Sequence, residues 1–192
     1  MAEPTGDGYP VVLRLGGRPV LVVGGGPVAA RKVEGLVAAG AVVTVVAPDI
    51  DASIEARPGV QVERRAYVAS DLSGQWLVVA ATDDPAVQRK VALDAEEAGI
   101  WVNAADDPAN CTFTLPAVER RGSVIVAVST QGESPALASH LRDRIAEWLP
   151  ANVDAVCADL ARQRRDLHAE GASTEQVDWT ERIFEAFERF AG

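Results

Sequence analysis

Apolar positions along this chain alternate between two spacings. Residues 20–23 and 76–81 are short, continuous apolar runs, and 42–46 is one interrupted only by Thr44, as strands covered on both faces should be. Between the first two, Ala29, Val33, Leu36 and Val37 recur at helical spacing, and Gly40 ends that helix. Residues 51–58 read as loosely helical, and 59–64 alternate as a third strand would. A turn is expected at Asp71-Leu72-Ser73-Gly74. Asp84 followed by Pro85 opens a helix that runs to Ala98 and stops at Gly99, and a further strand starts at Ile100. Strands alternating with helices predict an α/β fold, a Rossmann-type doubly wound parallel sheet.

The second half follows a different rule. Residues 112–118 and 123–129 are strand-like and are joined by a short polar turn, which predicts a β-hairpin rather than a crossover. The run Val124-Ile125-Val126-Ala127-Val128 has little polar alternation, so a partner subunit is expected to cover one face. Ser134 and Pro135 then open a helix that reaches about Trp148. Residues 151–192 are expected to form two helices broken near Gly171. The organisation expected is a nucleotide-binding domain over 1–111, a dimerisation and substrate-facing segment over 112–150, and a small helical region over 151–192. The apolar segment from Tyr9 to Leu15 is expected to pack against the sheet, and residues 1–8 to be disordered.

The junction after the first strand narrows the chemistry. Gly24, Gly26 and Ala29 fit G-x-G-x-x-A inside a complete strand–helix–strand unit, where the motif is most specific. Gly24 permits a tight turn, Gly26 lets backbone approach a pyrophosphate, and Ala29 lets helix pack closely on strand. Pro27 and Val28 continue the turn into the helix, whose N-terminus favours anions. Ligands of such sheets lie beyond the carboxyl ends of the strands. Pro48 and Asp49, Thr82 and Asp83, and Asn103 to Asp107 all follow strands, so they should converge on one crevice. Asp49 sits just past the usual position of a ribose-binding acid, and no Arg lies beside it in sequence to receive a 2′-phosphate, the nearest downstream being Arg57. NAD is therefore expected over NADP.

Composition adds exclusions. The chain has 192 residues and a net charge of −10, from 18 basic and 28 acidic residues, which disfavours binding to nucleic acid or anionic membranes. No apolar run approaches the roughly 18 residues of a membrane span, and residues 1–9 carry no secretory pattern, so a cytoplasmic protein is expected. Cys111 and Cys157, with His140 and His168, suggest neither a disulfide framework nor a metal cage.

In order along the chain, several stretches resemble one family. They are Tyr9-Pro10 leading to Leu13, 22–29 with Arg31-Lys32, Val45-Val46-Ala47-Pro48, and Ala80-Ala81-Thr82-Asp83-Asp84. Asn103 with Asp106 and Pro108, then Ser129 with Gly132-x-Ser134-Pro135, complete the set. Over about residues 9–150 the chain resembles the precorrin-2 dehydrogenase family, the dehydrogenase portion of siroheme synthase. The resemblance implies oxidation of precorrin-2 to sirohydrochlorin by NAD, insertion of ferrous iron (Fe2+) in bifunctional members, and a homodimer. The methyltransferase domain of fused members has no counterpart in the sequence. The family's catalytic aspartate falls on Asp106, where a carboxylate could serve as general base. Asp107 is its neighbour and rival. The resemblance also places Asn103, Ser129, Thr130, Gly132 and Ser134 at the tetrapyrrole. Many members carry Ser where this chain has Thr130, which keeps the hydroxyl. Arg120, Arg121, Arg142 and Arg144 could reverse the local field for an acidic substrate, or pair with acids such as Asp143. An NAD-sensing regulatory module without catalysis is the alternative; it would need neither Asp106 nor the serine-rich loop. A dehydrogenase for another small substrate would call for a larger substrate domain than residues 112–192 provide.

Overall fold

The computed structural model describes residues 8–190, so the expectation for residues 1–7 lies outside the described residues. The chain falls into two compact units, Met1–Leu115 and Pro116–Gly192.

The first unit contains a five-stranded parallel sheet. Its elements are β1 (Pro19–Val23), α1 (Pro27–Ala38), β2 (Val42–Ala47), α2 (Ala52–Glu55), β3 (Gln61–Arg64), β4 (Leu77–Ala80), α3 (Pro85–Ala98) and β5 (Trp101–Ala104). The strand order is β3-β2-β1-β4-β5. The chain thus runs outward in one direction from β1 and in the other from β4, which opens a crevice between the carboxyl ends of those two strands. This is the doubly wound α/β arrangement that the alternation of strands and helices predicts. The four apolar residues of β1 and all of β4 are buried because helices cover both faces. On one face Ala29 and Val33 of α1 pack on Val20, Val22, Val43, Val45 and Val79. On the other, Val91, Ala92 and Ala95 of α3 pack on Leu21, Val23, Val78 and Val102.

The helix ends are built as the sequence predicts. The Asp84 carboxylate accepts from Ala86 N and Val87 N, a cap of about 1 kcal/mol, and Gly99 turns left-handed at φ 66° to end α3. The expected apolar leader is split. Leu15 is buried and Leu13 packs on the core, while Tyr9, Val11 and Val12 are exposed.

The expected strand over 112–118 is displaced. Thr112 N donates to the Val102 carbonyl at 2.8 Å, and Thr112 Oγ1 accepts from Val102 N, so residues 112–113 run along β5. Pro116 has no N–H for a ladder, and the strand begins after it. The hairpin of the second unit is therefore β6 (Ala117–Arg121) with β7 (Val124–Val128), antiparallel. It is followed by α4 (Pro135–Trp148), α5 (Val153–Ala169) and α6 (Trp179–Arg189). Asp159 of α5 is 1% exposed and takes hydrogen bonds from Gln163, Arg162 and Arg189, the last of which ties α6 to α5. Gln163 and then the two arginines hold its carboxyl below the usual carboxylate range.

Candidate functional site

Three successive glycines leave β1, and the structure gives each a different reason. Gly24 has φ 124°, and a Cβ there would collide with the Ala81 carbonyl at the end of β4. A Cβ at Gly25 would collide with the Asp49 carbonyl, and the Gly25 carbonyl accepts from Asp51 N at 2.8 Å. These two glycines let the turn fit between its neighbouring loops. Gly26 differs. It is exposed, its φ of −85° suits any residue, and a Cβ would meet nothing within 4 Å. The protein alone does not require glycine at position 26; a ligand lying against the backbone would.

Gly26 is also the N-cap of α1, with no side chain capping the helix and no acid in its first turn. An α-helix leaves its first amides without internal partners, and the helix dipole makes that end attractive to a phosphate. Pro27 and Val28 complete this lip, exposed and half-buried respectively. Pro48 and Asp49 are exposed beyond β2, and Thr82 half-buried and Asp83 exposed beyond β4. The fold thus brings the predicted cofactor residues to one edge of the sheet. The residues fit a dinucleotide: an open backbone turn at a helix N-terminus, at the point where the strand order reverses.

Tertiary pairing also changes the surroundings of Asp49. Ala47 pairs in register with Arg64 of β3. The Arg64 guanidinium reaches the Ile50 carbonyl at 3.5 Å, but its stronger bonds go to Glu55, at 2.8 and 3.1 Å. An arginine therefore does lie beside the loop after β2, engaged by a carboxylate, while Arg57 faces Glu34 at 3.4 Å.

Beyond β5 the chain makes a tight loop held from three sides. Ala105 N donates to the Ala80 carbonyl, and the buried Gln88 side chain donates to the Ala105 carbonyl at 2.6 Å. Cys111 Sγ bonds with both Ala104 N and the Ala104 carbonyl, and reaches the Asp107 carbonyl at 3.3 Å. Burial pushes the Cys111 thiol up from its ordinary pKa, which keeps it in the protonated, donating form. Asn103 is only 6% exposed, and its amide donates to the Phe113 carbonyl at 3.0 Å and to Cys111 Sγ. Its Oδ1 has no partner among the described residues.

The two aspartates on this loop differ sharply. Asp107 accepts from Asn110 Nδ2 and is spent on the loop. Asp106 is exposed, adopts φ 60°, and makes no hydrogen bond among the described residues. Its left-handed backbone is a conformation that aspartate tolerates better than most residues. Lys32, half-buried on α1, lies within electrostatic reach of it. Sequence reasoning passed over Lys32, Gln88 and Cys111 as site residues. One signal was present: Lys32 stands three positions after Ala29, on the edge of the apolar stripe of α1.

The remaining predicted residues belong to the second unit. Thr130 Oγ1 accepts from Ser134 N and donates to the Ser134 carbonyl, closing the loop on itself. Ser129 Oγ accepts from Gln131 N, and Ser134 Oγ caps α4 by accepting from Leu137 N. Gly132, with φ 92°, completes the turn. Of the four arginines, Arg121 donates to the Leu149 and Ala146 carbonyls at the end of α4. Arg142 pairs with Asp143 and Arg144 with Glu147. Arg120 is exposed. Among the described residues, no group of three or more His, Cys, Asp and Glu could hold a metal ion. No helix among them is long and apolar enough to cross a membrane.

Comparison with known proteins agrees with this fold. An NAD(P)-binding family matches residues 11–117, and the central region of sirohaem biosynthesis proteins matches residues 121–147. Siroheme synthase of Ectopseudomonas mendocina (strain ymp) is 43% identical over 158 residues, covering 82% of this chain and 34% of that protein. Siroheme synthase of Azotobacter vinelandii is 43% identical over 162 residues, covering 83% of this chain and 35% of that protein. The chain spans about a third of the length of these curated relatives. The solved structure of SirC, a precorrin-2 dehydrogenase, matches with a TM-score of 0.68 and 30% identity, covering 95% of this chain and 89% of that one.

Proposed function

The chain belongs to the precorrin-2 dehydrogenase family, and from that premise we propose that it oxidises precorrin-2 to sirohydrochlorin with NAD, within siroheme biosynthesis. The observation that carries the reading is Asp106. Its carboxylate is exposed and free of hydrogen bonds among the described residues, on the same edge of the sheet as the open backbone of Gly26. A sensing module needs the glycine turn but has no use for an uncommitted carboxylate held there.

NAD, when bound, supplies the hydride acceptor. The backbone of Gly24 and Gly26, with Pro27 and Val28, would hold its pyrophosphate. Pro48 and Asp49 would flank the adenosine, with Thr82 and Asp83 at the reversal point. Asp49 favours the free ribose of NAD, and the Glu55 carboxylate on Arg64 supports that choice by occupying the arginine that a 2′-phosphate would use. The oxidation removes a hydride from one carbon of the macrocycle and a proton from another position. Asp106 takes that proton as general base. Asn103, Ser129, Thr130, Gly132 and Ser134 are proposed to face the tetrapyrrole. Ferrous iron insertion, the added activity of bifunctional members, would use the same carboxylate. Anaerobic incubation of the protein with precorrin-2 and NAD should produce the sirohydrochlorin absorbance, and ferrous iron added afterwards tests the second step. No spectral change with NAD would sink the dehydrogenase reading.

A homodimer is part of the same proposal. In the second unit Leu137, Leu141 and Trp148 leave an apolar stripe on α4 that is 48%, 41% and 78% exposed, and Ile125 on β7 is 41% exposed. Such surface on a small folded unit favours a partner. Light scattering at micromolar concentration should give twice the mass of the chain, and Leu141→Glu should shift it to the single-chain mass. A single-chain mass for the wild type overturns the dimer.

A further inference from the structure

We propose that Lys32 anchors a carboxylate of the substrate beside Asp106, so that one cation on α1 fixes how the acidic macrocycle enters the crevice. The inference rests on the reading of this crevice as the precorrin-2 site.

Lys32 is a half-buried cation with no ion pair and no hydrogen bond among the described residues. That is an uncommon state, since burying a charge without a partner is costly. Burial lowers its pKa, and the nearby Asp106 and Cys111 work in the opposite direction without reaching it as bonded partners. Its position is set by α1: Ala29 and Val33 are buried against the sheet, and Lys32 adjoins them on the flank that meets the loop after β5. Ala105 and Phe113 of that region pack on the same core cluster as α1. A helical side chain leans toward its own N-terminus, so the Lys32 stem carries the ammonium toward the carboxyl edge of the sheet, where Asp106 stands.

The other cations singled out for an acidic substrate are largely committed. Arg121 closes α4, and Arg142 and Arg144 pair with Asp143 and Glu147. Lys32 lies by the candidate base with no acceptor of its own among the described residues. A carboxylate arriving there would complete a charge-assisted hydrogen bond and relieve the buried charge. The tetrapyrrole substrate carries several carboxylates. The dinucleotide's phosphates are assigned elsewhere, at Gly26, the N-cap of the helix.

The test uses the full chain and compares wild type with Lys32→Met and Lys32→Arg. Methionine keeps the apolar stem that packs on α1 and removes only the charge. Sirohydrochlorin and its fully methyl-esterified form serve as probes, titrated by absorbance in the absence of NAD. For Lys32→Met, the Kd for sirohydrochlorin and the KM for precorrin-2 should rise about tenfold or more, the usual effect of losing one charge-assisted hydrogen bond. Lys32→Arg should recover most of that loss, and the ester should bind all three proteins alike. NAD affinity by calorimetry should not change. Unaltered sirohydrochlorin affinity in Lys32→Met, or a weakening that the ester shares equally, overturns the anchor. Weakened NAD binding with unchanged sirohydrochlorin affinity also overturns it and moves Lys32 to the phosphates. Asp106→Ala separates this inference from the reading beneath it. If that variant turns over normally while Lys32→Met loses sirohydrochlorin, the base is wrong and the anchor stands.

Discussion

Asp106→Ala is expected to bind NAD with wild-type affinity and to oxidise precorrin-2 roughly a hundredfold more slowly or worse, the scale on which a positioned general base contributes. The proposed phosphate contacts lie at the glycine turn, in a different loop. The variant should fold, because Asp106 is exposed and bonds to nothing that holds the loop. One structural detail refines the experiment. Asp106 has φ 60°, a conformation that costs an ordinary residue about 1–2 kcal/mol but that Asp and Asn tolerate. Asp106→Asn removes the base without adding that strain, so it should be as inactive as Asp106→Ala and at least as stable. Asp107→Ala is the internal control. It loses the Asn110 bond and should cost about 1 kcal/mol of local stability with a mild effect on rate. Stopped-assay kinetics with precorrin-2 decide the matter. Wild-type turnover in Asp106→Asn would remove Asp106 from the mechanism, and a dead Asp107→Ala beside an active Asp106→Ala would move the base by one residue.

Gly26→Asp should abolish measurable NAD binding, a loss of about a hundredfold or more from placing like charge against the pyrophosphate. It should do so in a folded protein. The new side chain enters open space, the backbone is already in a region any residue adopts, and aspartate is a favoured helix N-cap. Thermal unfolding should therefore show a midpoint no lower than wild type. Gly24→Asp is the contrasting case: its Cβ would strike the Ala81 carbonyl, so binding and stability should fall together. Normal calorimetric NAD binding by Gly26→Asp would mean that the cofactor lies elsewhere.

These experiments rest on features that differ in how readily the sequence discloses them. The strands and the longer helices were legible because their causes are local. Val20 to Val23 can be little other than a buried strand, and Asp84-Pro85 with Gly99 brackets α3 by capping chemistry within a few residues. The displaced β6 is also instructive. Residues 112–118 have strand-like composition, but Thr112 is drawn to the edge of β5 and Pro116 interrupts the run. Composition cannot distinguish a ladder within a hairpin from a segment flanking another sheet.

By itself, the sequence determined the order of strands and helices in the first unit, the glycine turn and the helix it opens. It also supplied Asp106 as a candidate, through its place after a strand and through the resemblance to the family. The tertiary structure alone decided what surrounds them. It set Gly25 against Asp49, which gives the middle glycine a purpose outside the G-x-G-x-x-A pattern. It brought Arg64 beside the loop after β2 through the register of Ala47 with Arg64, and occupied it with Glu55. It gave Asp107 a partner in Asn110 and left Asp106 without one among the described residues, and it put Lys32 near Asp106. The physical reason is range. Periodicity and capping act within a turn or two of chain and are written in neighbouring residues. Encounters between distant loops depend on which strands pair, in which register, and on which face a helix returns, and those are properties of the packed sheet.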